Sequence, residues 1–246
     1  MAATPEEFTR AAVARLSQLT PCPEVVVVEA LVLDVTPPGH APTRLRLQNL
    51  WWAHLADPSQ LRARLDQLAI ALTSAASDAP LEPDRLVPLV RERSAFPETA
   101  PVQHLAGPLW VGVGLDGQHT RRVVRRIDAD LLRMPDARLF LVARANLGMA
   151  AHTLRRERIG PVTRLHFDGD LDSSLLALRP LWQAVVRSVG GMVAVSAPAR
   201  GALLFAPVAA VAVLHQTARH VRRMAPWPLP MVVLGTRGEG FGVVEA

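Results

Sequence analysis

The chain of 246 residues has no lysine and no tyrosine, and its 27 basic residues are all arginine. The missing lysine excludes Schiff-base chemistry and the phosphate-binding lysine of a P-loop. A single cysteine, Cys22, excludes an intramolecular disulfide and a cysteine-built zinc site. Aromatic residues make up only 4% of the chain, too few for a platform on which single-stranded nucleic acid would stack. The Trp51–Trp52 pair is therefore expected in the core. Long apolar runs are scarce as well. The longest, Gly201 to Leu214, contains Pro207 and falls short of the roughly 20 residues that span a bilayer, so it is expected as a buried strand leading into a buried helix. No membrane association is expected. The first residues are acidic (Glu6, Glu7) and have no apolar centre, unlike a signal peptide.

Half the residues are hydrophobic and 20% are charged, which suits a packed core and not a disordered polyelectrolyte. Arginine in place of every lysine, among abundant Ala, Pro and Leu, matches the codon usage of a GC-rich genome. The net charge is +5, unevenly spread. Residues 1–118 hold 9 arginines and 13 acids, net −4; residues 119–246 hold 18 arginines and 9 acids, net +9. That asymmetry points to an anionic partner for the second half.

Thr4-Pro5-Glu6-Glu7 is a capping box with proline at the first helical position, followed by Phe8, Ala12, Leu16 and Leu19 at helical spacing. Valine-rich Glu24 to Val35 predicts one strand, and alternating Thr43 to Gln48 a second, half-buried one. Asp57-Pro58 is expected to cap a helix with Leu61, Leu65, Leu68 and Leu72 on one face. Beyond residue 108, two strands followed by a helix recur. Leu109–Leu115 and Arg122–Ile127 precede a helix from Pro135 to Ala150. Thr153–Ile159 and Val162–Phe167, split by Gly160-Pro161, precede one from Asp172 to Val189. Met192–Pro198 and Ala202–Ala206, split by Arg200-Gly201, precede one from Val208 to Met224. Met231–Leu234 and Phe241–Val244 form a last hairpin. The expected class is α+β, a repeated ββα with helices packed on antiparallel sheet. The expected organisation is an α-β-β-α unit over residues 1–80, a Pro-rich connection over 81–108 and the repeated ββα unit over 109–246, with one continuous domain as the alternative.

Several segments stand in a recognisable order: Asn49-Leu50, Leu86-Val87-Pro88-Leu89-Val90-Arg91 with Phe96-Pro97, Gly114-Leu115-Asp116, Arg126-Ile127-Asp128 with Leu131-Leu132, Arg144-Ala145-Asn146-Leu147, and Gly191-Met192-Val193-Ala194-Val195 with Pro198-Ala199-Arg200. Taken together they resemble the YtpQ-like bacterial proteins, a domain of unknown function. The departure is Gly201, where that pattern often has Asp. The resemblance implies this fold and a cytoplasmic location, and it carries no catalytic residues.

Gly112-Val113-Gly114-Leu115-Asp116-Gly117 matches the dinucleotide fingerprint by letter. The β-like run after it denies the helix N-terminus the fingerprint requires, so these glycines are expected in a hairpin turn and its strands. Asp168, Asp170 and Asp172 open like a calcium loop, but Ser173 and Arg179 stand where that loop needs Gly and Glu; Asp172 is expected to cap the following helix. His215 and His220 are five apart, off a shared helical face. Ser196 lacks a nucleophile elbow. Residues 119–164 hold 11 arginines against 4 acids. Arg121, Arg122, Arg125, Arg126, Arg155, Arg156, Arg158 and Arg164 are the candidate anion-binding residues, with Arg122 and Arg126 sharing one strand face and Arg156 and Arg158 another. The alternative is a solvated face partly neutralised by Asp128, Asp130 and Glu157. The expected function is a non-catalytic binding module whose basic half meets an acidic protein, a nucleotide or, weakly, nucleic acid, with no cofactor. The alternative is a metal-dependent phosphoester enzyme using Asp168, Asp170 and Asp172. The sequence leaves the oligomeric state open.

Overall fold

The computed structural model describes residues 4–18, 22–36, 43–47, 50–51, 54–55, 58–60, 62–63, 65–66, 81–117, 121–225 and 227–244. It divides into two compact units, one formed by residues 1–79 and 117–120, the other by 80–116 and 121–246. Among the described residues no helix is long and apolar enough to cross a membrane.

In the first unit, helix α1 (Pro5–Leu16) begins at the expected capping box. The Thr4 hydroxyl accepts from the Glu7 amide, and the Glu7 carboxylate accepts from the Thr4 amide. Phe8, Ala12 and Leu16 are buried one helical turn apart. Strands β1 (Glu24–Glu29), β2 (Val32–Thr36) and β3 (Thr43–Arg46) form an antiparallel meander. The single strand expected over Glu24–Val35 is thus a hairpin, because Leu31 takes a left-handed conformation (φ 65°) that reverses the chain. Thr9 fastens helix to hairpin: its hydroxyl donates to the Pro5 carbonyl and accepts from the Leu31 amide at 2.8 Å. Leu31, Leu33, Val35, Leu47 and Leu65 complete this core, and Trp51 packs against it. Trp52, Leu61, Leu68, Leu72 and the Asp57 cap lie outside the described residues.

The second unit contains two antiparallel sheets. In the first, β4 (Leu86–Glu92) and β5 (Val102–Ala106) flank β6 (Leu109–Asp116), and β7 (Arg121–Val123) pairs with the far end of β6. The stretch 81–108, expected as a connection, therefore supplies two strands; of its prolines, Pro83 opens a 3-10 turn, Pro88 lies within a buried strand and the others sit between elements. Gly112 and Gly114 lie inside β6 and not in a turn. A Cβ on Gly112 would stand 2.3 Å from the Phe96 ring, so the glycines admit neighbouring side chains.

Beyond β7 the expected strand Arg122–Ile127 gives way to helix α2 (Arg126–Leu131). The Asp128 carboxylate accepts from the Arg125 amide and so caps this helix from within. Helix α3 (Asp136–Ala150) buries Leu139, Phe140, Ala143 and Leu147 and packs on β4 and β6.

The second sheet has the order β13-β12-β10-β11-β9-β8, with β8 (Arg155–Ile159), β9 (Val162–His166), β10 (Val193–Ala199), β11 (Ala202–Pro207), β12 (Leu234–Thr236) and β13 (Phe241–Val243). Its hairpins fall at the expected turns, except that the strand expected over Met231–Leu234 is displaced to Leu234–Thr236. Between β9 and β10 the expected long helix is a 3-10 segment, Gly169–Ala177, followed by helix α4 (Arg179–Val189). Pro180 at the start of α4 accounts for the break, since it can donate no amide to a helix running through. Gly190 ends α4 in the left-handed conformation (φ 78°). Helix α5 (Val211–Met224) packs on β9, β10 and β11 and buries only Leu214 and Ala218, so it is half-buried where a buried helix was expected.

Candidate functional site: a half-buried cluster of arginines and aspartates

The dense arginine segment does not make one patch. Arg122 Nη1 donates to Asp128 Oδ2 at 2.8 Å, and Arg125 Nε lies 3.7 Å from the same oxygen. Arg126 pairs with Asp136 through two bonds. Because Arg126 opens a helix, it shares no strand face with Arg122. Arg155, Arg156 and Arg158 are exposed on β8, the edge strand, with no carboxylate ion pair among the described residues. Arg164 Nη2 donates to the Gly201 carbonyl at 3.3 Å, while its buried Nε has no partner.

Arg121 heads a different arrangement. It stands opposite Asp116 in the β6–β7 ladder, with Nε 2.8 Å from Asp116 Oδ1 as a close ion pair without hydrogen-bond alignment. Its Nη2 donates to Asp168 Oδ2 at 2.5 Å, and Nη1 is 3.6 Å from Asp170 Oδ2. Burial, aided by the Asp168 charge and opposed by Arg121, raises the Asp116 pKa. Asp172 behaves otherwise. It is buried, and its Oδ1 accepts from the Phe167 and Asp168 amides at 2.9 and 3.1 Å. It clamps the loop behind it instead of capping the segment ahead. The carboxylates expected to share a metal thus face a guanidinium in two cases and the backbone in the third. Among the described residues no group of three or more His, Cys, Asp or Glu side chains is placed to hold a metal ion.

Two further arginines meet at this place. Arg91 ends the buried run of β4, and Arg200 forms the β10–β11 turn. The turn is held on three sides. The Arg200 amide donates to the Trp227 carbonyl, its carbonyl accepts from Ser173, and a Cβ on Gly201 would fall 2.6 Å from the Gly169 carbonyl oxygen. The Arg200 guanidinium lies over the Trp227 ring at 5.1 Å. Neither the Arg91 nor the Arg200 guanidinium has a hydrogen bond or a carboxylate within 4.0 Å among the described residues. Burial and the Arg200 charge, with a smaller push from Arg121 and against the pull of Asp170, lower the Arg91 pKa to about 10. Burial also lowers that of Arg200, again against Asp170. Asp170 is the acid both arginines feel, yet its buried Oδ1 has no hydrogen-bond partner.

The site is therefore a half-buried cluster in which Arg121 draws Asp116, Asp168 and Asp170 to itself while Arg91 and Arg200 repel one another. Charge density along the chain does not reveal this pair. The available signal is an arginine closing a strand of five buried residues, Leu86–Val90, and another in the turn between two buried strands. No protein-family model matches the chain, and neither a curated protein nor a solved structure matches it.

Proposed function

We propose that the protein is a binding module whose second unit takes a phosphate- or carboxylate-bearing group between Arg91 and Arg200, with Arg121 behind them. The observation that carries this reading is geometric: Arg200 lies over Trp227 in a turn held on three sides, burial depresses the pKa of both guanidiniums, and among the described residues neither Arg91 nor Arg200 has a hydrogen-bonded carboxylate. Such an arrangement costs stability when empty. A bound oxyanion relieves the repulsion and accepts the free N–H groups, and charge-assisted bonds to guanidinium are the stronger kind. Asp116, Asp168 and Asp170 keep Arg121 in place and hold the net charge of the cluster near neutral, so the site suits one anionic group better than a long polyanion. The partner is an acidic protein segment, a nucleotide or another phosphorylated molecule. A place in the bacterial cytoplasm and kinship with the YtpQ-like proteins belong to the same proposal. Binding, and not catalysis, is the reading supported, because the carboxylates here are engaged with Arg121 and with backbone amides.

Calorimetric titration at low salt with pyrophosphate, phosphate and citrate tests it. Saturable binding of at least one anion is expected, weakened about tenfold or more in Arg91→Gln and Arg200→Gln. Absence of binding by the wild-type protein, or undiminished binding by both variants, overturns the reading.

A further inference from the structure

A second cavity in the same unit is chemically unlike the arginine site. It is a groove of about 930 Å3 bounded by α3, the junction of the 3-10 segment with α4, and the β12–β13 hairpin. Its walls are mostly apolar, with Leu105, Leu176, Leu181, Trp182 and Phe241 among them. Leu141, on the α3 wall, is 66% exposed, an apolar side chain left facing solvent at the groove. At Gly148, also on that wall, an added Cβ would meet no heavy atom within 4 Å.

The polar groups at this groove are biased to one sign. Arg144 is half-buried; its Nη2 donates to the neutral Gln103 Oε1 at 2.7 Å and its guanidinium lies over the Phe140 ring, with no carboxylate partner among the described residues. Burial lowers its pKa. Arg179 lies at the groove on the first turn of α4, a helix whose N-terminus has no capping side chain and carries this cation where an acid is usual. Against these stands one carboxylate, Glu239, exposed on the hairpin. A groove with an apolar lining and a few polar groups that fix orientation is the usual form of a small-molecule site.

We infer that this groove binds an amphipathic carboxylate, its apolar chain along the leucines, Trp182 and Phe241 and its head group on Arg144. The inference rests on observations independent of the Arg91–Arg200 pair. A half-buried cation bonded, among the described residues, only to an amide gains a charged partner, and the chain covers the exposed Leu141 surface otherwise left to water.

The test is calorimetric titration with sodium decanoate and with 1-decanol, both below their aggregation limits. Decanoate is expected to bind at least about tenfold more tightly than decanol, the size of one charged hydrogen bond. Arg144→Gln should reduce decanoate to the level of decanol. Gly148→Leu, which fills the groove and favours the helix, should remove binding of both. Arg91→Gln should leave unchanged the decanoate binding that Gly148→Leu removes, which separates this groove from any carboxylate held by the arginine pair. Equal affinity for acid and alcohol, decanoate binding that survives Gly148→Leu, or no binding of decanoate at all would overturn the inference.

Discussion

The arginines at the head of α2 and the arginines around the β10–β11 turn differ in a way their numbers conceal. Arg122, Arg125 and Arg126 are crowded in sequence, yet each lies within 4.0 Å of an acid, Asp128 or Asp136. Arg91 and Arg200 are far apart in sequence and more deeply buried, and among the described residues neither has an acid within 4.0 Å. The two buried aspartates repeat the contrast. Burial pushes the Asp128 carboxyl up, but the Arg125 amide and the Arg122 guanidinium outweigh it, so the pKa falls below the ordinary value. Asp172 receives two backbone amides and the weaker pull of the His166 and Arg164 charges, yet burial wins and its pKa rises. Charge density along a chain thus says little about where charge remains unsatisfied. What matters is which groups the fold lets reach one another.

Breaking the satisfied region should have the largest effect. Asp128→Ala leaves Arg122 without its acid and α2 without its internal cap, and a loss of about 3 kcal/mol in urea unfolding at pH 7 is expected. A loss under about 1 kcal/mol would mean the pair is a surface ornament. Because the folded pKa of Asp128 is lowered, its contribution is full above the ordinary carboxylate value. It is lost as pH falls from about 4 through the lowered folded value, and the gap between wild type and variant should close over that window.

The unsatisfied region should respond in the opposite direction. Arg91→Gln removes a desolvated charge and its repulsion with Arg200, so the ligand-free variant should be more stable than wild type by about 0.5 to 1 kcal/mol, while stabilisation by pyrophosphate disappears. Reduced ligand-free stability would show that Arg91 serves packing more than binding.

Asp172→Asn sharpens the aspartate contrast. The amide oxygen still accepts from Phe167 and Asp168, and the buried charge is gone, so stability at pH 7 should match or exceed that of wild type by up to about 1 kcal/mol. With its folded pKa raised, wild-type Asp172 regains stability as pH falls through that value, and the advantage of the variant should vanish there. A large loss at pH 7 would show that the charge itself is needed.

The smallest effect belongs to β8. Arg155, Arg156 and Arg158 are exposed and, among the described residues, lack a carboxylate ion pair. Replacing all three with alanine should leave folding unchanged and flatten the salt dependence of any weak heparin or duplex binding, by about 0.9 in slope for each phosphate of duplex DNA that is no longer neutralised. An unchanged slope would remove β8 from consideration.

Much of the fold was legible because its signals are local. The Thr4–Glu7 capping box, the Gly160-Pro161 and Arg200-Gly201 turns, the Gly190 stop and helix α3 depend on a few neighbouring residues. Three elements were not. The hairpin within Glu24–Val35 turns at Ala30-Leu31, which carries no Gly, Pro or Asn. Helix α2 depends on the carboxylate of Asp128 reaching back to the Arg125 amide. The 3-10 segment depends on Pro180 and on Asp172 turning back to the preceding loop. Half of the site was marked in advance: Arg121, Asp168 and Asp170 were candidates, though as parts of two different sites. Arg91 and Arg200 were not, because their importance lies in what fails to pair with them, and sheet topology decides that.

The contact between Gly169 and Gly201 constrains how this chain can vary. A Cβ at 201 would press into backbone, which cannot turn aside as a side chain can. An aspartate at 201 is therefore not one neutral step away. To accept it, the Gly169 loop must first withdraw, carrying Asp168 and Asp170 with it. Positions 169, 170, 200 and 201 form one epistatic block, in which the order of substitutions decides which are tolerated. A library that randomises 201 alone should return almost only glycine, whereas one that varies 169–170 together with 200–201 should recover new pairings of loop and turn.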